Sequence, residues 1–371
     1  MIGKDKYSTN LVTTNWLSNK IMAWNDEENT RQMPWKGEKE PYFIWLSEII
    51  LQQTRVEQGL LYYHRFIYYF PNVRKLAAAD EKKLMKLWEG LGYYSRCRNL
   101  HKAAKIIVAD YHGVFPKSYE NILKLPGVGP YTAAAISSFA YNEPYAVVDG
   151  NVVRVLSRFF GSYKSINNTD GKRWFGEVAQ RLLPKKKAGV YNQAIMDLGA
   201  VICKPRKPQC EICPLHNKCV AFLLGKQQEF PVKNKRIRKK QRWFSFLILI
   251  RDGKVLIQKR VDNDIWKGLY QFPVYETSSF VPTSQLNRRI SKDGLQIKLG
   301  KVAFSASQEL THQTIHGRFY VLLVTQSFKG IEGEWLTPRA AAKRAFPKMP
   351  AIFLNNLGCV NGKFDGSFSK K

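Results

Sequence analysis

Between Leu125 and Asn151 the chain reads LPGVGPYTAAAISSFAYNEPYAVVDGN, a stretch that leaves the backbone few options. Two glycines, Gly127 and Gly129, flank Val128 and allow a tight turn whose amide N–H groups point outward together, as in an anion cradle. Pro130 suits a first helical position, and Tyr131 to Tyr141 reads as a short alanine-rich helix whose N-terminal dipole adds to that cradle. The Gly127-Val128-Gly129 turn and the helix end form a clamp for a phosphate backbone that needs no side-chain charge. Asp149, nine residues past Ala140 and just before Val152-Val153-Arg154-Val155-Leu156, falls at the N-cap of a second helix. In isolation such an Asp is a structural cap; its meaning depends on the rest of the chain.

At 371 residues two domains are expected. A formal charge of +30 implies a polyanionic partner. No basic amphipathic helix stands out to enter a membrane surface, and no run approaches the roughly 18 apolar residues of a bilayer span, so nucleic acid is favoured and a cytoplasmic protein expected.

In Pro41 to Gln58, PYFIWLSEIILQQTRVEQ, Glu48 shares a helical face with Ile44, Trp45, Leu51 and Arg55. A carboxyl group in apolar surroundings loses hydration, stays protonated near neutral pH and can donate a proton. The alternative is a buried Glu paired with an Arg. Gln52, Gln53 and Thr54 offer polar groups for base edges or phosphates, and Arg31 and Trp35 lie on a Pro-terminated loop able to touch DNA. The Leu91–Arg96 turn, with Tyr93, combines aromatics and a cation in the manner of a duplex wedge.

Four cysteines are spaced Cys203-x6-Cys210-x2-Cys213-x5-Cys219. Intervening prolines prevent one continuous helix, so the segment should wrap around an iron–sulfur cluster or, second, zinc. Cys97 and Cys359 are read as buried thiols.

LSEIILQQT around Glu48, LPGVGPYTA, VVDGNVVRV around Asp149 and the cysteine loop together resemble the MutY family of adenine DNA glycosylases, within the helix-hairpin-helix superfamily that includes endonuclease III. The resemblance runs from about Leu11 to Cys219 and continues more weakly beyond. It implies excision of adenine opposite 8-oxoguanine or guanine in duplex DNA after base flipping, a [4Fe-4S] cluster on the four cysteines, and action as a monomer in a bacterial cytoplasm at the nucleoid. It assigns Glu48 as general acid at adenine N7, Asp149 as stabiliser of the oxocarbenium-like sugar, and Tyr131 and Asn151 as residues orienting that pair. Gln53 and Tyr93 match residues entering the duplex, and Arg31 and Trp35 the loop near the adenine; Lys36 replaces the family's arginine. Endonuclease III relatives carry a lysine where this chain has Tyr131, so monofunctional chemistry is expected. The alternatives are a bifunctional glycosylase and lyase of the endonuclease III type and a non-catalytic, redox-sensing DNA-binding protein.

The expected architecture is multidomain: an all-α helix-hairpin-helix glycosylase domain with a cluster loop at 1–225, a solvated basic linker at 226–242, and an α+β Nudix-like domain at 243–371. In the last, strands are expected at Trp243–Ile250, Lys254–Lys259, Ile297–Val302 and Arg318–Gln326, and helices near Pro338–Arg344 and Ala351–Leu357. Its Trp266–Pro273 segment resembles Nudix domains but lacks the glutamate-rich helix, so it is read as a lesion reader. Of two candidate reading loops, Phe304-Ser305 and Leu310-Thr311-His312, the second keeps a hydroxyl and an imidazole at Thr311 and His312. His316 reads as an incidental loop histidine.

Overall fold

The computed structural model describes residues 11–232, 239–325 and 330–357. Cys359 and four cations of the basic stretch, Lys233, Lys235, Arg236 and Arg238, lie outside the described residues. The chain divides into two compact units, one of Met1–Ala78 with Asn99–Lys235 and one of Ala79–Arg98 with Arg236–Lys371.

The first unit is helical. Its elements start where short polar side chains accept backbone amides: Asn72 from Lys75, Ser118 from Asn121, Asp149 from Val152 and Asn168 from Gly171. Asn142 and Gly161, both left-handed, end the helices Pro130–Tyr141 and Gly150–Phe160. A core of Leu17, Trp24, Leu156, Phe159, Phe175, Tyr191 and Leu198 packs the helices Leu11–Glu27, Gly150–Phe160, Thr169–Leu182 and Ala188–Val201 together. Three of the four loop cysteines, Cys203, Cys213 and Cys219, pack against that core.

Among the described residues the second unit carries seven strands: β1 (Lys240–Arg251), β2 (Lys254–Lys259), β3 (Tyr270–Gln271), β4 (Val274–Thr277), β5 (Phe304–Glu309), β6 (Gln313–Leu323) and β7 (Glu334–Leu336). They order as β3-β2-β1-β6-β5, with β4 added to β1 and β7 to β2. β1 and β6 run parallel from Lys240 opposite Gln313 to Ile250 opposite Leu323. On one face Phe353 of the Lys348–Leu357 helix stacks on Phe319, with centroids 4.7 Å apart. On the other, Leu286 and Ile290 of the Thr283–Lys292 helix pack with Leu247, Leu249 and Tyr320.

Four expectations for this unit are corrected. No strand forms at Ile297–Val302, because Leu295 and Leu299 anchor an irregular segment in the core and Asn287 bonds the Leu299 backbone at both N–H and C=O. The adjacent strand is Phe304–Glu309 instead, and the final long strand begins at Gln313, five residues before Arg318. Arg242 is no linker cation: it stands in β1, buried, bonded to Asp264 at 2.7 Å and Glu276 at 2.6 Å. His316 lies on β6 rather than a loop, stacked on Trp243 and bonded to Ser307 and Gln241 at 2.8 Å each. Among the described residues no helix is long and apolar enough to cross a membrane.

Candidate active site

Pro41 at a first helical position starts the Pro41–Leu51 helix. Ile44, Trp45, Leu46, Ile49 and Ile50 of that helix are buried, and so is Glu48 among them. The apolar setting raises the Glu48 carboxyl to about 7, chiefly through lost hydration; Asp149 nearby adds to the rise and a hydrogen bond from the Tyr131 hydroxyl opposes it. Its partner is therefore a phenol, not an arginine, and Arg55 lies exposed beyond the helix end. Burial and the two carboxylates push Tyr131 well above the ordinary phenol range, so it stays protonated and donates.

Asp149 caps the Gly150–Phe160 helix, accepting from Val152 N and from Asn151 Nδ2, each at 2.7 Å. Burial raises its carboxyl, and these donors hold it down. The Asn151 side-chain oxygen in turn accepts from Arg154 Nη2 at 2.7 Å, whose Nε donates to the Cys203 carbonyl at 2.7 Å.

Glu48, Tyr131, Asp149 and Asn151 line one cavity of about 410 Å³, together with Arg31, Trp35, Gln53 and Thr54. Arg31 is held there by the fully buried Asp197 at 2.6 Å, with Lys36 on the same carboxylate at 3.0 Å, and Trp35 sets its edge on Tyr63. Gln53 is exposed in the left-handed region. Sequence reasoning missed Met33, Gln193 and Met196 in this lining. Gln193 and Met196 are three apart on the Ala188–Val201 helix, a spacing that signals a shared face but not what it faces.

At the turn before Tyr131, Gly127 holds a φ of +80°, and a Cβ there would meet Asn99 at 2.8 Å. Gly129 has neither constraint: its φ is −100° and a Cβ would meet nothing within 4 Å. As N-cap it supplies no side chain to the helix amides, so the site is open to an approaching anion. Val128 turns inward, and its N–H donates to Leu125 O at 3.1 Å, so Val128 itself offers neither side chain nor amide outward.

Thr311 and His312 form the exposed tip of the β5–β6 hairpin, closed by Leu310 N to Gln313 O at 2.8 Å. They line a second cavity of about 540 Å³, wholly within the second unit, with Tyr93, Arg98, Trp266 and Lys348. The Tyr93 hydroxyl meets Thr311 Oγ1, and Arg98 donates to the Lys267 carbonyl at 2.7 Å. Phe304-Ser305 is in β5, with Phe304 against Phe319, away from this tip.

The four loop cysteines line a small cavity of their own with Arg158, His216 and Phe222. Burial pushes Cys213 up to about 12 and Cys219 up to about 11, while N–H groups of Leu215 and of Phe222 and Ala221 oppose it. Such thiols shed their protons when metal binds, and amides aimed at sulfur then stabilise the thiolates. The four sulfurs line one small space, and thiolates set around such a space are the donor set that an iron–sulfur cluster takes.

Residues 46–175 match the HhH-GPD superfamily of base excision DNA repair proteins, 203–219 the iron–sulfur binding domain of endonuclease III, and 245–356 the NUDIX domain. The chain is 36% identical to the adenine DNA glycosylase of Buchnera aphidicola subsp. Baizongia pistaciae, over 82% of this chain and 85% of that one. It is 29% identical to the adenine DNA glycosylase of Homo sapiens over 86% and 67% of the two chains. Among solved structures a thermostable thymine-DNA glycosylase superposes on 58% of this chain and all of its own, with a TM-score of 0.53 and 29% identity.

Proposed function

The chain belongs to the adenine DNA glycosylases, and on that premise we propose that it excises adenine paired with 8-oxoguanine or guanine in duplex DNA without cutting the strand. It is a DNA N-glycosylase of base excision repair and carries a [4Fe-4S] cluster, which ties down the Cys203–Cys219 loop. The observation that carries the proposed chemistry is that Glu48 and Asp149, a hundred residues apart, line one cavity, where the Asp149 charge adds to the rise of the Glu48 pKa.

Glu48, held in part protonated near pH 7, gives its proton to N7 of the flipped adenine. The C1′–N9 bond then breaks, with both electrons leaving on the base. Asp149 faces the cationic sugar; water adds at C1′ and loses a proton, leaving an abasic site. Tyr131 orients Glu48 and Asn151 orients Asp149. Tyr131 has no amine for a Schiff base, which supports the monofunctional reading over the endonuclease III type. Gly127 and Gly129 would receive the backbone phosphate, while Gln53, Thr54, Arg31 and Trp35 line the cavity that would take the base.

We assign 1–225 to the glycosylase domain, apart from the 79–98 segment that groups with the second unit, the stretch from 226 up to β1 at Lys240 to a linker, and the rest to the reader, where Thr311 and His312, with Tyr93 beside them, meet the base opposite the adenine. We propose a monomer acting on chromosomal DNA in a bacterial cytoplasm.

The test offers duplexes with adenine opposite 8-oxoguanine, guanine or thymine. Nicks in the adenine strand of the first two, only after hot alkali, are expected. Nicking without alkali would favour the lyase, and binding with no base loss would favour a non-catalytic DNA-binding protein.

A further inference from the structure

Arg158, on the Gly150–Phe160 helix, is 3% exposed. Its guanidinium donates to five carbonyls, those of Cys203 (3.4 Å), Lys204 (2.8 Å), Pro205 (3.3 Å), Gln227 (2.9 Å) and Phe230 (3.3 Å), and to Cys203 Sγ at 3.3 Å. All three of its nitrogens donate to neutral oxygens or the one sulfur, with no carboxylate in the set. A buried cation so placed is unfavourable unless an anion lies near. Four thiolates around an iron–sulfur core supply one, since a cluster so ligated carries net negative charge.

Arg158 is also the link between the two ends of the cluster region. It bonds the chain entering the loop, at Cys203 to Pro205, and the chain leaving it, at Gln227 and Phe230. We propose that Arg158 is the positioning residue of the cluster: its charge is balanced by the cluster itself, and it fastens the Gln227–Phe230 segment only while the cluster is bound. Cluster loss then leaves the guanidinium uncompensated and releases that segment, which leads towards the second unit.

Two variants of the full chain, Arg158→Lys and Arg158→Met, test this. The readouts are iron per protein, the cluster's reduction potential by voltammetry, and amide exchange at Lys226 and Glu229, whose N–H groups donate to Ala221 and Lys226 carbonyls. In wild type, removing the cluster with oxidant and chelator should speed exchange at both amides at least tenfold. Arg158→Met should retain several-fold less iron, show the fast exchange already, and move the potential of its remaining cluster negative, because a nearby positive charge favours the more reduced state. Arg158→Lys, which keeps the charge but not the fork, should hold a near-native potential with intermediate exchange. A Met variant with native potential and iron content overturns the proposal. So does iron loss in both variants with the potential of the residual cluster unmoved, which is what a packing role alone would give, and so does unchanged exchange on cluster removal from wild type.

Discussion

The side-chain amide of Asn151 donates to Asp149 Oδ2 at 2.7 Å while its own oxygen is fixed by Arg154, so the amide cannot flip without losing both bonds. This donor is one of three that oppose the rise burial imposes on Asp149. Asn151→Ala should therefore raise the Asp149 pKa further and shift the acid limb of the excision profile to higher pH. Excision measured in single turnover is expected to fall about 10- to 100-fold, the worth of a hydrogen bond to a charged group. Part of the loss should return as pH rises above that limb. A loss independent of pH would mean that Asn151 only positions the helix end.

Burying Glu48 is costly to the fold. Its pKa rises from 4.5 to about 7, so the folded state holds the proton more tightly than the unfolded one. The stability this confers is complete below about pH 4.5 and is lost as pH rises through 7, at most about 3 kcal/mol by linkage. Glu48→Gln removes the titration. Its melting temperature relative to wild type should be higher at pH 8 than at pH 5, even as excision disappears. Equal differences at the two pH values would place Glu48 in a more hydrated setting.

Much of this site was legible in the chain. Glu48 amid Ile44, Trp45, Ile49 and Ile50 announces a desolvated acid, and Asp149 before a β-branched helical run announces a cap; both readings need only local pattern. The partner of Glu48 was not legible locally, since hydration loss looks the same whether an arginine or the Tyr131 phenol sits opposite. Asp197 was overlooked for a related reason: its partners Arg31 and Lys36 are more than 160 residues away, and helix periodicity shows which way a side chain points but not what meets it. In the second unit the strands at Trp243–Ile250 and Lys254–Lys259 were plain, and they pair antiparallel. The Thr283–Lys292 helix was not, having only Leu286 and Ile290 as buried residues.

Arg242 shows how a charge run misleads. Its side chain is 8% exposed and bonds Asp264 and Glu276, themselves 33% and 43% exposed. Arg242→Met leaves Glu276 without its partner and Asp264 with Arg260 alone; because both carboxylates keep contact with water, the expected cost is about 2 kcal/mol, below that of a fully buried pair. Arg242 holds the Asp264 pKa below its usual value. That contribution is present above about pH 4 and vanishes as pH falls through the depressed pKa, so the gap between wild type and variant should narrow in acid. Urea unfolding followed by Trp243 and Trp266 fluorescence measures it, and an unchanged midpoint would return Arg242 to the solvated stretch.

Tyr131 and Glu48 offer the sharpest separation of chemistry from architecture. The phenol donates to the carboxylate and so favours its ionised form, working against the burial that keeps it protonated. Tyr131→Phe deletes the donor and keeps the ring, so the Glu48 pKa should climb above 7. The descending alkaline limb of the excision profile should shift to higher pH by the same amount. A weaker acid protonates adenine less readily, so the plateau at pH 6 should fall while the rate at pH 8 falls less. Single-turnover rates from pH 5.5 to 9 on one adenine:8-oxoguanine duplex read both effects together. If the limb stays in place while the plateau drops, the phenol acts on the substrate rather than on Glu48, and the acid that limits the rate is another group.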